Sequence, residues 1–158
     1  MANKTRTFLK EQNRDFNNIL DSMPYCNTTA KTSLISGGAN DTAMTIVQPA
    51  NSFLINAGVI VTTAVAGSSG NINVKIGTAD DGAEIVAATA LMSSATAVPV
   101  GVVLSHNGQG EGAANMAFVA DAALFTATER TLHVRAEASA AITAGELVAF
   151  IIYGNINA

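Results

Sequence analysis

The sequence predicts an all-β protein: an antiparallel β-sandwich of jelly-roll type, preceded by a short N-terminal helical arm. Three observations carry this reading. From about residue 31 the apolar residues recur with a period of two, the repeat of a half-buried strand. Stretches rich in Gly, Asn, Asp and Ser interrupt the apolar runs at short intervals, as hairpins and tight loops require. Residues 1–30 differ from the rest in both period and charge, which divides the chain into an arm, 1–30, and a sandwich body, 31–158.

In the arm, Phe8, Gln12, Phe16 and Leu20 follow a spacing of four, with Leu9 and Ile19 beside them. This spacing predicts an amphipathic helix whose apolar stripe is Phe8, Leu9, Phe16, Ile19 and Leu20. Pro24 ends it. An isolated helix of this length is marginal in water. The stripe is therefore expected to anchor on protein: the chain's own body, a sister subunit or a foreign surface.

In the body, "NINVKIG" places Ile72, Val74 and Ile76 on one face and Asn71, Asn73 and Lys75 on the other. "TLHVRAEAS" turns Leu132, Val134, Ala136 and Ala138 inward and His133, Arg135 and Glu137 outward. Both read as half-buried strands. "FLINAGVIVTTAV" and "ELVAFIIYG" are apolar in both phases and read as central strands covered on both sides. Weaker strands are expected near 42–48, 84–91, 98–104 and 115–120. Turns are expected at "SGGAND", "QPANS", "AGSSGN", "TADDGA", "HNGQGEG" and "TAGE". About eight strands at this spacing suit a jelly roll. The Ala-rich pieces "AEIVAATALMSSATA" and "AANMAFVADAALFTA" have the helix propensity for a helical turn.

Composition bounds the function. Charged residues make up 13% of the 158, about half the usual share, and apolar residues 49%. A surface so poor in charge suits packing against neighbours. Residues 1–21 carry four basic and three acidic side chains, and residues 22–158 carry four basic and nine acidic. Between Ser33 and Glu129 the only base is Lys75, so the body has no cluster for phosphate, and no nucleic-acid partner is expected. No apolar run approaches the ~20 residues that span a bilayer, and residues 1–22 lack the apolar core of a secretion signal. The single Cys26 excludes an internal disulfide and an all-cysteine metal site.

Few residues point to chemistry. Asp80, Asp81 and Glu84 surround Gly82. A calcium loop would set its oxygens at alternating positions. Adjacent aspartates followed by glycine instead make a good turn, in which Asp bonds its own backbone and Gly takes positive φ. His106 and His133 are the only histidines, far apart in sequence and too few for zinc. No G-x-S-x-G elbow is present, and "GQGEG" lacks the Lys-Ser/Thr of a phosphate loop. The expectation is a protein that is not an enzyme and carries no metal or cofactor. His133, Arg135 and Glu137 form a polar strip, read either as a solvated sheet face or as a subunit contact in which Arg135 pairs with a neighbour's acid.

"INAGVIVTTAVAGSSGNINVKIGTADDGAEIV" and "TLHVRAEASAAITAGELVAFIIYGNI" resemble segments of small structural proteins of tailed bacteriophages. There a strand, a Gly/Ser turn and a strand ending "VGTADDGD" follow one another, and a "TAG" turn precedes a last apolar strand ending in Tyr. Many versions have an acid directly after the Gly, whereas here Ala83 intervenes before Glu84. The resemblance covers about residues 50–90 and 130–156 and leaves out the arm. It implies a trimeric β-sandwich on the virion. One form is a capsid decoration (cement) protein that stabilises the head by burying surface between subunits of the major capsid protein. The other is a tail-fibre or head-fibre module that binds a host receptor. In the first, the arm stripe anchors on a shell subunit or sister chain, and His133, Arg135 and Glu137 lie at the subunit interface of a homotrimer on the capsid surface.

Overall fold

The structure is a computed structural model and describes residues 24–67, 70–94, 96–106 and 116–156. The expected arm helix, with Phe8, Leu9, Phe16, Ile19 and Leu20, lies outside the described residues. The strands in chain order are β1 (Tyr25–Thr28), β2 (Thr32–Ser33), β3 (Asn40–Gln48), β4 (Ser52–Gly67), β5 (Ile72–Gly77), β6 (Val86–Met92), β7 (Val103–Ser105), β8 (Phe125–Thr126), β9 (Arg130–Ala138) and β10 (Ile142–Asn155). One 3-10 turn, Asp121–Ala123, is the only helical element among the described residues.

Two antiparallel sheets form the body. The first runs β1-β10-β4-β7, with β2 also on β10 and β8 also on β4. The second runs β3-β9-β5-β6. The pairs β1 with β10, β3 with β9, β4 with β7 and β5 with β6 are nested one inside the next, and β4–β10 and β5–β9 close the roll. This is a jelly roll, the double Greek key that turns a long antiparallel ribbon into two facing layers.

The core lies between the layers. Leu54, Val59, Val61, Leu147 and Ile151 of the first sheet and Ile72, Val74, Ile76, Leu132 and Val134 of the second are fully or almost fully buried. Removing each such side chain from water stabilises the fold by roughly 1.5–3 kcal/mol. The period-two reading of β5 and β9 matches this burial, except that Ala138 at the end of β9 is only half-buried.

Other elements differ from expectation for physical reasons. The strand expected near 84–91 is found as β6, and the helical turn that its Ala-rich sequence also allowed gives way there, because Val86, Leu91 and Met92 complete the core beside β5. Tertiary burial overrides helix propensity there. Among the described residues of the second Ala-rich piece, the helical part is the 3-10 turn, followed by β8. "TAGE" is not a turn: β10 passes through it, bulged against β4, with Gly145 at φ +146°. The reversal between β9 and β10 falls at residues 139–141. Strand β4 is covered on one face only in part, since Phe53 and Ile55 are 41% and 38% exposed. The expected strand near 115–120 is a single bridge, Val86 to Phe118. The chain joins the sheet at Tyr25, earlier than the change of period marks, because Tyr25 stacks on Tyr153 with ring centroids 5.6 Å apart.

Candidate interaction surfaces

Strands β5 and β9 set Lys75 directly opposite Arg135 on the outer face of the second sheet. Two cations so placed repel each other. Four carboxylates offset this. Lys75 Nζ lies 2.6 Å from Asp81 Oδ1 and 2.5 Å from Glu137 Oε1. Arg135 reaches Asp41 at 3.2 Å and Asp80 at 3.1 Å. Asp80 and Asp81 thus fold back over the strip, and each binds a different cation. Lys75 and Arg135 are mostly covered, at 13% and 18% side-chain exposure, while Asp80 and Asp81 remain open to water. Hydrogen bonds to Asp81 and Glu137 raise the pKa of Lys75 and hold that of Asp81 below the usual carboxylate range.

The acid run is therefore a turn, as expected, with different local chemistry. Asp81, not Gly82, takes the left-handed conformation, at φ +70°. Asp tolerates this conformation better than most residues. Gly82 is needed for space: the Glu84 carboxylate packs over it, and any Cβ there would collide with Glu84. Gly77 packs against Gly82 in the same way. Glu84 Oε2 accepts the Thr78 N–H at 3.1 Å. Backbone hydrogen bonds from Glu84 itself and Thr78 hold its pKa down.

The three residues of the expected interface strip lie where the sequence put them, half-buried on the outer face of β9. Arg135 and Glu137 find their partners inside this chain. His133 stands level with Thr45 of β3 and Gly77 of β5. His106 lies at the end of β7 and stacks on Phe118 at 4.2 Å. Cys26 is exposed on β1. Among the described residues, no three of His, Cys, Asp and Glu converge as metal ligands.

Sequence reasoning missed a buried polar network. Gln48 is fully buried. Its Nε2 donates to the Leu124 carbonyl at 2.9 Å and to the Ser52 carbonyl at 3.2 Å, and its Oε1 accepts from Arg130 Nε at 2.9 Å. Arg130 also donates to the Ala123 carbonyl. Burial pushes the Arg130 pKa down. The network ties the 3-10 turn and β8 to the ends of β3 and β9. The available signal was phase: Gln48 continues the inward row of Met44 and Ile46.

The first sheet carries an apolar groove. Both β7 and β8 pair with the same edge of β4, β7 at Gly58–Ile60 and β8 at Ser52–Phe53. Between them no strand among the described residues pairs with the edge; its ends are clamped by Leu54 N–H to Leu124 O at 3.1 Å and His106 N–H to Ala57 O at 3.3 Å. Ile55 bulges here against β10. The resulting open groove of about 540 Å³ is lined by Phe53, Leu54, Ile55, His106, Phe118 and Leu124. Phe125, paired with Phe53, is 43% exposed beside it.

No protein-family model and no curated protein matches the sequence. Among solved structures, the chain is similar to one in the structure of infectious bursal disease virus, Gx strain, at 8% identity and a TM-score of 0.35. The match covers 85% of this chain and 38% of that one, so this chain spans well under half of its length. A likeness of that degree carries no functional argument.

Proposed function

We propose that this protein is a structural component of a phage virion, a capsid decoration (cement) protein that acts by burying surface between subunits of the major capsid protein. The observation that carries the reading is the way the chain uses its few charges. Lys75, Arg135, Asp41, Asp80, Asp81 and Glu137 satisfy one another on one strip. Much of the remaining surface is small and neutral, with large apolar side chains such as Ile35, Val47, Val100 and Phe125 left exposed. Such a surface fits being covered by protein. The jelly roll is compatible with this role but hosts many others. The resemblance of residues 50–90 and 130–156 to small phage structural proteins gives the reading its setting.

On this reading the body forms a homotrimer, with the face bearing His133, Arg135 and Glu137 at the contact between copies. The arm stripe of Phe8, Leu9, Phe16, Ile19 and Leu20 grips a shell subunit or sister chain. A standard interface buries roughly 1,600 Å², and many copies of it resist shell expansion without any catalysis. No metal, cofactor, nucleic acid or membrane enters the mechanism.

The test is binding to shells stripped of this protein. Saturable binding at a fixed ratio to the capsid subunit, with a higher temperature of shell disruption, is expected. Binding to host cells or surface glycans but not to shells would replace cement with the fibre alternative. A monomer in light scattering at micromolar concentration would remove the trimer.

A further inference from the structure

We propose that the Asp81–Gly82 step is a site of covalent backbone ageing, conversion to isoaspartate, and that the Lys75–Asp81 ion pair is what protects it. The inference concerns this turn alone and does not rest on the virion reading.

Asp81–Gly82 is the only Asp-Gly pair in the chain. The conversion is spontaneous and takes no co-reactant but water. The Gly82 nitrogen forms a bond to Asp81 Cγ. The carboxyl C–O bond breaks, and its hydroxyl leaves as water with the proton of the Gly82 N–H. Water then adds to the cyclic imide. Opening at the former backbone carbonyl leaves the chain running through the aspartate side chain. One water is lost and one gained, and nothing is oxidised. Glycine favours the attack because it has no side chain to shield its nitrogen. The other described aspartates lack that neighbour. Asp41 precedes Thr42 inside β3, Asp80 precedes Asp81, and Asp121 precedes Ala122 in the 3-10 turn. Water also reaches the site, since 66% of the Asp81 side chain is exposed.

The structure opposes each requirement of the attack. A carboxylate is a far poorer electrophile than a carboxylic acid. The hydrogen bond from Lys75 Nζ to Asp81 Oδ1, at 2.6 Å, keeps Asp81 ionised, with its pKa below the usual carboxylate range. The same bond pins the carboxyl to β5, which carries Lys75. The attacking nitrogen is occupied as well, because Gly82 N–H donates to the Ala79 carbonyl at 3.0 Å. Glu84 packs over Gly82 and accepts the Thr78 N–H, which holds the turn as a unit. Asp80 is drawn to Arg135, so among the described residues Lys75 is the one cation paired with Asp81. Losing Lys75 therefore frees the carboxyl while the backbone bonds of the turn remain. Conversion adds one carbon to the backbone and shortens the carboxylate's arm by one, which takes Asp81 away from Lys75 and Gly82 out from under Glu84.

The experiment incubates the full chain at neutral pH and physiological temperature and follows isoaspartate at position 81 by electron-transfer fragmentation. Cleavage after Glu84 and Glu111 keeps Asp81 apart from Asn107, which begins the chain's one Asn-Gly pair. Lys75→Met is expected to raise the rate about tenfold or more, the scale of a lost hydrogen bond to a charged group. Lys75→Arg, which restores a cation, is expected to bring most of the protection back. Asp41→Asn loosens the same strip through Arg135 without touching Lys75 or Asp81, and is expected to leave the rate unchanged. Circular dichroism at the incubation temperature checks that each variant is folded. A Lys75→Met rate equal to that of the unaltered chain would overturn the inference, as would an Asp41→Asn rate as high as that of Lys75→Met. Should Lys75→Met not fold, the unaltered chain still decides: folded, it is expected to convert about tenfold or more slowly than when unfolded in urea. Equal rates there would overturn the inference. No shell is present in the assay, so its failure leaves the cement reading standing, and failed shell binding leaves this inference standing.

Discussion

Gln48 is the hub of the buried polar network. Its amide satisfies two backbone carbonyls and one guanidinium where water does not reach. Gln48→Ala leaves these groups unpaired, and the expected loss is about 2–3 kcal/mol in urea-unfolding free energy. Glycines differ sharply by surroundings. Gly77→Ala drives a Cβ into Gly82 and Glu84 and is expected to cost about 1–3 kcal/mol. Gly37→Ala meets nothing within 4 Å and should stay within about 0.5 kcal/mol. The turn also sets an acid limb. Asp81 and Glu84 have folded-state pKa values below their ordinary ones, through Lys75 and through backbone N–H groups respectively. A depressed folded pKa stabilises above the unfolded value, near 4, and that stability is lost as pH falls through the folded value. Melting temperature should therefore drop below about pH 4. Asp81→Asn with Glu84→Gln should melt lower at neutral pH and show a flatter acid limb. Lys75 has the opposite sign: its raised pKa stabilises below the ordinary lysine range, and the contribution fades as pH climbs past it.

Among elements, those with one dry and one wet face were legible. Ile72, Val74 and Ile76 alternate with Asn73 and Lys75, and no other element type fits that pattern. The strip of His133, Arg135 and Glu137 was legible for the same reason, but its partners were not. Asp41 lies 94 residues from Arg135 and Asp80 lies 55 away, and only strand register brings them together. Strand β6 was ambiguous because Ala, Thr and Leu serve either element, and the decision is made by the space beside β5. The "TAGE" reading failed because a glycine with positive φ serves a bulge as well as a turn. Gly145 keeps β10 continuous there while Val65 crowds its Cα at close to 3 Å from where a Cβ would stand. Gly145→Ala is expected to lower stability by about 1–3 kcal/mol in equilibrium unfolding. The groove was invisible to sequence, since it arises from two short strands that fail to meet along β4.

At the scale of the molecule, nested pairing makes β10 the keystone. It is the last in sequence of the ten strands among the described residues, yet it lies between β1 and β4 at the centre of the first sheet. Its inward row of Leu147, Ala149 and Ile151 is buried completely. A chain stopped after Val148 should therefore fail to give a cooperative melt at all, rather than a lowered one. The same placement governs how the protein comes off the ribosome. Strand β1 must wait, without its partner, while more than a hundred further residues are made. Until then the nascent chain offers apolar strand edges to whatever is nearby. Acquisition of the native state is thus expected after synthesis and on the slow side for this size, because distant pairings must form first. High-level expression should raise the insoluble fraction, and holding chaperones or lower temperature should recover it.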